Sequence, residues 1–364
     1  MNEALPDTIP SVLERAATRF ADREALVDEH ARLTFPELRA TAGEAARAFI
    51  AAGVQPGDRV AIWAPNIAEW VVAALGVYRA GATIVAVNTR FKGNEAAYII
   101  DKTKAKVLLT VTDFLDTDYI ALLATGDPVP ALERTVVLRG KTPQGSQSWD
   151  DFLAAGASVP LGEAEVREAA ITGDSVSDII FTSGTTGRPK GAMLTHAASV
   201  AAYDAWTTVI GLPEGDRYLI VNPFFHAFGL KAGILACLIT GTTIVPHAVF
   251  DVDTVMQRVV EERISMLPGA PTVYQSILDH PRVGEFDMST LRLAVTGAAA
   301  VPVEMIKRMR TELTFSTILT AYGLTESTGT ATMCRQGDDP ETISNTSGRA
   351  IPDTEVRIVD DDGK

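Results

Sequence analysis

Cysteine is nearly absent from this 364-residue sequence: Cys237 and Cys334 are the only two, and they lie far apart. No disulfide framework and no metal-binding cysteine spacing can be built from them, which fits a reducing compartment. Long apolar runs are also missing. The longest weakly polar stretch, Ala232 to Pro246, contains threonines and is too short to span a bilayer. The opening MNEALPDTIP has neither the basic nor the apolar region of a signal peptide, so a cytoplasmic location is expected. Positive charge is scarce, with 32 Lys and Arg against 46 Asp and Glu and a net charge of -14. So acidic a surface repels nucleic acid and anionic lipid, and any anionic ligand must be held by local groups. No Gly-x-Ser-x-Gly elbow and no His-Glu-x-x-His occurs, which argues against an ordinary hydrolase. What remains is ordinary globular composition, 46% hydrophobic and 21% charged. At roughly 150 residues per domain, about two domains are expected.

The chain reads as repeated strand, loop and helix. The apolar run Val60–Trp63 is broken by Ala64-Pro65-Asn66, followed by a helical stretch from Ile67 to Tyr78 and the β-branched run Thr83–Val87. A second copy follows about 160 residues later by the same pattern. Gly57-Asp58-Arg59 is echoed by Gly215-Asp216-Arg217, and Gly81-Ala82-Thr83-Ile84-Val85 by Gly241-Thr242-Thr243-Ile244-Val245. Further strands are predicted at Ile264–Leu267, Leu291–Val295 and Ile318–Ala321, with helices ending near Asp279 and starting at Pro302. Right-handed βαβ crossovers make such strands parallel, so the loops after their carboxyl ends share one rim. That rim would hold Pro223–His226, Pro268–Pro271, Gly297–Ala300 and Tyr322–Glu326. The expected fold is α/β, with two related subdomains built on largely parallel sheets.

One segment carries strong chemistry: Thr182-Ser183-Gly184-Thr185-Thr186-Gly187-Arg188-Pro189-Lys190-Gly191. Apolar Ile179-Ile180-Phe181 precedes it and Ala192-Met193-Leu194 follows it, a strand–loop–strand context. Only two residues separate Gly184 from Gly187, so it is not a Walker loop. The physical logic is similar. Glycines let backbone N–H groups approach a phosphate, the four hydroxyls of Thr182, Ser183, Thr185 and Thr186 can donate to its oxygens, and Lys190 adds a point charge.

This segment closely resembles the phosphate-binding signature of the adenylate-forming enzymes: acyl-CoA synthetases, aryl-CoA ligases, luciferases and peptide-synthetase adenylation domains. Other segments agree in order and spacing. Phe225-His226-Ala227-Phe228-Gly229 resembles the family's aromatic/His substrate motif. Gly297-Ala298-Ala299 resembles its adenine-side loop, and Tyr322-Gly323-Leu324-Thr325-Glu326 its second nucleotide motif. Gly348-Arg349-Ala350-Ile351-Pro352 resembles the lead into its small β-barrel subdomain. The resemblance runs from about Leu13 onward.

The resemblance implies that a carboxylate attacks the α-phosphate of ATP, pyrophosphate leaves, and a thiol, usually that of CoA, takes the acyl group. On that basis Thr182 to Lys190, Gly187 included, would hold the β- and γ-phosphates. Tyr322, followed by Gly323, would stack on adenine against Gly297, Ala298 and Ala299. Thr325 would donate to the α-phosphate or the substrate carboxylate. Glu326, a hard oxygen ligand, would hold Mg2+. His226 would lie beside the carboxylate and the acyl channel. ATP, Mg2+ and CoA are thus the implied cofactors and co-substrates, a carboxylic acid the implied partner, and a homodimer is compatible with it. Small Ala298, Ala299 and Ala300 favour a medium-chain, long-chain or bulky alicyclic acid over acetate. Family members continue with a ribose-binding Asp, a hinge and a C-terminal domain bearing a catalytic Lys. None of these stands in this sequence, so nucleotide binding with little turnover is expected.

The expected division is 1–205, a first subdomain with the phosphate-binding hairpin at 182–191; 206–340, a second subdomain with the adenine and acyl sites; and 341–364, the start of the barrel. The leading reading is the large N-terminal part of an acyl-CoA synthetase. The alternatives are an adenylation domain that loads a carrier protein and a non-catalytic nucleotide-binding fragment. His30, His196, His247 and His280 are read as structural. Lys231 stands on an otherwise apolar helix with no counterpart in sequence.

Overall fold

The computed structural model describes residues 5–182, 187–297, 299–360 and 362–363. Ser183, Gly184, Thr185, Thr186 and Ala298 lie outside the described residues.

Two sheets organise the chain. The first has seven strands in the order Gln147–Ser148, Arg134–Arg139, Val107–Val111, Arg59–Trp63, Thr83–Ala86, Val176–Thr182, Lys190–Thr195. All its pairings are parallel except the last, a hairpin in which Thr182 is the register partner of Lys190. Its central strands are apolar on both faces, as parallel strands covered by helices on each side must be. Val107–Val111 is buried at every position.

The second sheet joins two four-stranded parts through a single residue. Met266 bridges in parallel to Tyr218 on one side and to Leu293 on the other. The order is Arg32–Thr34, Glu24–Val27, Thr243–Pro246, Arg217–Ile220, Met266, Leu293–Gly297, Thr317–Tyr322, Thr332–Met333, Arg349–Ala350. The strand predicted at Ile264–Leu267 is therefore only a one-residue bridge. Proline at 268 ends its ladder by removing a backbone donor.

The sequence echo is a structural repeat. Gly57 N donates to Gly81 O at 2.8 Å and Thr83 N to Asp58 O at 2.8 Å. In the second copy Gly215 N donates to Gly241 O at 3.2 Å and Thr243 N to Asp216 O at 2.8 Å. Gly81 and Gly241 share a φ of 76°, a left-handed turn that glycine adopts without strain. The register repeats as well, Arg59 opposite Thr83 and Arg217 opposite Thr243.

Chain order departs from the repeat at one place. In the first sheet the strand beside Thr83–Ala86 is Val176–Thr182, followed by antiparallel Lys190–Thr195. In the second, the same places are filled by Glu24–Val27 and antiparallel Arg32–Thr34, from the start of the chain. The helix Phe35–Ala51 then begins with a capping box, Glu37 N donating to Thr34 Oγ1 at 3.4 Å and Thr34 N to Glu37 Oε2 at 2.8 Å.

The segment expected to start a barrel contributes one short strand. Arg349–Ala350 pairs antiparallel with Thr332–Met333 and extends the second sheet. No closed barrel occurs among the described residues, of which Arg349–Ala350 is the last strand.

Candidate active site

The carboxyl ends of the second sheet's strands open onto a cavity of about 670 Å³. Pro223 and His226 reach it from the loop after Arg217–Ile220, and Ala270 from the loop after Met266. Gly297, Ala299 and Ala300 reach it after Leu293–Gly297, and Tyr322 and Gly323 after Thr317–Tyr322. Crossover topology brings these four loops together, since parallel strands end on one side. The cavity has no Asp, Glu, Lys or Arg among its described lining residues. A neutral wall of this kind suits an apolar ligand with a few polar groups.

Tyr322 is 52% exposed where its strand ends, although tyrosine is a large side chain that would gain by burial. It lines the same cavity as the small residues Gly297 and Ala299. Thr325 and Glu326 follow in a short 3₁₀ turn, Thr325–Ser327, and do not line the cavity. Glu326 is exposed. Thr182 Oγ1, at the end of a first-sheet strand, donates to Glu326 Oε1 at 3.3 Å. The tips of the two sheets therefore meet where the hairpin at 182–191 and the turn at 325–327 approach each other. Lys190 is exposed opposite Thr182 and makes no ion pair among the described residues, and Gly187 is exposed nearby.

Glu326 belongs to no group of three His, Cys, Asp or Glu side chains suited to a metal among the described residues, so it is a carboxylate outside any all-protein cage. That donor set fits Mg2+, which binds through one or two carboxylates and completes its shell with water and substrate phosphates. It does not fit Zn2+ or an all-protein Ca2+ cage.

His226 caps the short turn Ala227–Gly229, its Nδ1 accepting from Phe228 N at 3.2 Å. That bond places the ring proton on Nε2. The ring is exposed to the cavity but otherwise surrounded by protein, and this desolvation holds its pKa below the usual 6.5. At neutral pH His226 thus presents a neutral ring on the cavity wall.

Three further residues, Asn66, Lys231 and Asp178, support this loop, and of these only Lys231 stood out in sequence, without a partner. Asn66, read there only as a strand breaker, is buried and crosses between the sheets. Its Nδ2 donates to Ile220 O at 3.0 Å and Asn222 O at 2.9 Å, and its Oδ1 accepts from Phe224 N at 2.8 Å. Lys231 has its partner in Asp178. Both are fully buried and ion-paired, and Tyr78 Oη donates to the same carboxylate. Lys231 Nζ also lies 5.5 Å from the Tyr78 ring centroid. Burial pulls the Lys231 pKa down and the neighbouring Asp178 charge opposes this. Lys231 sits in the π-helical turn Leu230–Leu235 that follows His226, and Asp178 in the strand that leads into the hairpin loop. The signal in sequence was a single charge inside each of two apolar runs, since neither can be buried without the other.

His196 adjoins this pair, its Nδ1 accepting from Ile9 N at 3.3 Å. Burial and then the Lys231 charge push its pKa down to about 4. The folded state therefore keeps His196 neutral where the unfolded chain would protonate it. The stability gained is complete above pH 6.5 and lost as the pH falls toward 4, about 3 kcal/mol in total. Urea denaturation of the wild type and His196→Gln between pH 7 and 4.5 should show a steeper decline for the wild type. Parallel curves would remove His196 as the cause.

Comparison with known proteins agrees with this geometry. An acyl-CoA ligase of Rhodococcus jostii (strain RHA1), named for 3-[(3aS,4S,7aS)-7a-methyl-1,5-dioxo-octahydro-1H-inden-4-yl]propanoyl, is 50% identical over 360 residues, covering 98% of this chain and 70% of that protein. The anthranilate CoA ligase AuaEII in complex with anthranoyl-AMP superposes with a TM-score of 0.87 at 25% identity, covering 100% of this chain and 68% of that one. The inhibitor-bound N-terminal domain of FACL13 from Mycobacterium tuberculosis gives 0.84 at 28% identity, covering 98% and 85%. Residues 13–364 match the family described as "AMP-binding enzyme", and the chain belongs to it.

Proposed function

We propose that this chain activates a bulky alicyclic carboxylic acid with ATP, as the acid- and nucleotide-binding part of an acid:CoA ligase. The observation that carries this reading is the uncharged cavity with Tyr322 and His226 on its wall, together with the Thr182–Glu326 contact that joins the tips of the two sheets. A carboxylate oxygen of the acid attacks the α-phosphorus of ATP. The bond from that phosphorus to the bridging oxygen breaks, and pyrophosphate leaves. In the following half-reaction the CoA thiolate attacks the acyl carbon and AMP departs.

The chain's own groups bind and orient. Tyr322 takes one face of the adenine, with Gly297 and Ala299 allowing close approach. His226 Nε2–H donates to the acid's carboxylate, fixing the oxygen that attacks. Lys190 and the Thr182 hydroxyl face the leaving phosphates, and Thr325 donates near the α-phosphate. Glu326 would hold Mg2+, whose charge offsets that building on the phosphate oxygens. The acid's apolar body fills the neutral part of the cavity. An α-amino acid fits poorly there, because no described carboxylate lines the cavity to meet its ammonium group. The bicyclic acid in the name of the Rhodococcus relative has the size and polarity the cavity favours.

Affinity for non-hydrolysable acyl-sulfamoyl adenosines tests the reading directly. The bicyclic propanoyl conjugate should bind at least about tenfold tighter than the acetyl conjugate, the scale set by burying a few methylenes. Tighter binding of the acetyl or an aminoacyl conjugate would refute it. His226→Ala should raise the KM for the acid about tenfold and leave ATP affinity within about twofold, because it removes a contact to one substrate only. Loss of ATP affinity with a normal response to acid would place His226 elsewhere.

A further inference from the structure

Asn66 lies in the loop after Arg59–Trp63, and His226 in the loop after Arg217–Ile220. These are the same place in the two copies of the repeat, so one copy's loop holds the other's. Asn66 is 5% exposed, and both of its polar atoms are engaged with the backbone of the second loop. Nδ2 donates to Ile220 O and Asn222 O, and Oδ1 accepts from Phe224 N. A carboxamide suits this task, since it offers two donors and an acceptor on one short plane.

Packing carries this hold from Asn66 to the His226 turn. Phe224 is fully buried, with its ring 5.2 Å from that of Trp70, on the helix Ala68–Arg79 that follows Asn66. His226 N donates to Pro223 O at 3.0 Å. A side-chain carbon at Gly229 would lie 2.2 Å from Pro223 O and 2.4 Å from Asn222 O. The turn after His226 is therefore closed directly onto the residues that Asn66 holds, and a shift of Asn222 shifts that turn. The His226 ring itself is exposed, so its aim is set by its backbone and by its Nδ1 bond to Phe228 N.

We infer that Asn66 is a positioning residue: its carboxamide, carried by the first repeat, sets where the second repeat's loop presents the His226 ring to the acid's carboxylate. Asn66 is not among the residues lining that cavity, so it acts through His226 and touches no substrate. Acid binding in one repeat thereby depends on a contact made by the other. This inference rests on the acid-activating reading proposed above.

Two measurements test it. Histidine NMR titration of the ligand-free protein needs no substrate. Asn66→Ala should raise the His226 pKa toward 6.5, because a loosened loop admits water to a ring now desolvated. His196, held at about 4 by other groups, should not move. A His226 pKa unchanged by the substitution, or a shift of His196 as well, would overturn the inference. Calorimetry with the bicyclic propanoyl-sulfamoyl adenosine supplies the second readout. Asn66→Ala should bind it about tenfold more weakly than wild type, with ATP affinity within about twofold. Asn66→Asp should behave alike, since it keeps the size and the acceptor but turns an oxygen toward the two carbonyls. In a His226→Ala background the same substitutions should cost less than about twofold, because the group they position is gone. Wild-type affinity in Asn66→Asp, or an undiminished loss in the His226→Ala background, would make Asn66 structural only. Should Asn66→Ala not fold, Asn66→Ser and Asn66→Asp carry the same comparisons. Failure of the conjugate to bind the wild type would instead overturn the acid-activating reading, whereas the titration reports the hold of Asn66 on His226 either way.

Discussion

Lys231→Met should lower folding stability by about 3–5 kcal/mol, because it leaves the Asp178 carboxylate buried without a counter-charge. The remaining hydroxyl donors, Tyr78 and Ser177, can solvate that charge only in part. Methionine is nearly as long as lysine and fills the same space, so the loss would be electrostatic rather than a cavity effect. Asp178→Asn alone should also be costly, since it leaves the buried ammonium unpaired. The double variant Lys231→Met/Asp178→Asn removes both charges and should be less destabilised than the sum of the two by about 2 kcal/mol. Urea midpoints and slopes of all four proteins provide the check. Simple additivity would mean that the two residues do not act as a pair. The pair matters beyond stability because it joins the strand entering the hairpin to the helix that begins at His226.

Glu326→Gln should slow acid-dependent exchange of pyrophosphate into ATP by about a hundredfold or more. The amide keeps the size and one oxygen but loses the negative charge that a hard divalent cation requires. Part of the deficit should be recovered by raising Mg2+, because the defect would lie in binding the metal–phosphate unit. Binding of the metal-free acyl-sulfamoyl adenosines should be unaffected, since Glu326 does not line the cavity. Exchange that proceeds at the wild-type rate at limiting Mg2+ would defeat the assignment. A fall in adenylate-analogue affinity of the same size would mean that the substitution disturbs the cavity instead.

The local elements were legible because their causes are local. Alternation of apolar strands with amphipathic or wholly apolar helices, and glycines where a turn needs positive φ, define each βαβ unit within about 30 residues. The echo of Gly57-Asp58-Arg59 in Gly215-Asp216-Arg217 became the same turn with the same backbone hydrogen bonds. The candidate site residues were likewise found as short contiguous phrases, and parallel topology placed the loops bearing several of them on one rim.

The sequence by itself therefore determined the α/β class, the repeated unit, the strand–loop–strand hairpin and the four loops that carry the cavity. Tertiary structure alone decided what crosses long separations. It placed Glu24–Val27 and Arg32–Thr34 in the second sheet, where edge pairing rather than chain order selects the strand. It reduced the predicted 264–267 strand to Met266 and paired Arg349–Ala350 with Thr332–Met333. It gave Lys231 its partner across 53 residues. Hydrophobic periodicity records which face of an element is buried, but not against which other element. That choice comes from closing the whole core, where each buried charge must meet its opposite.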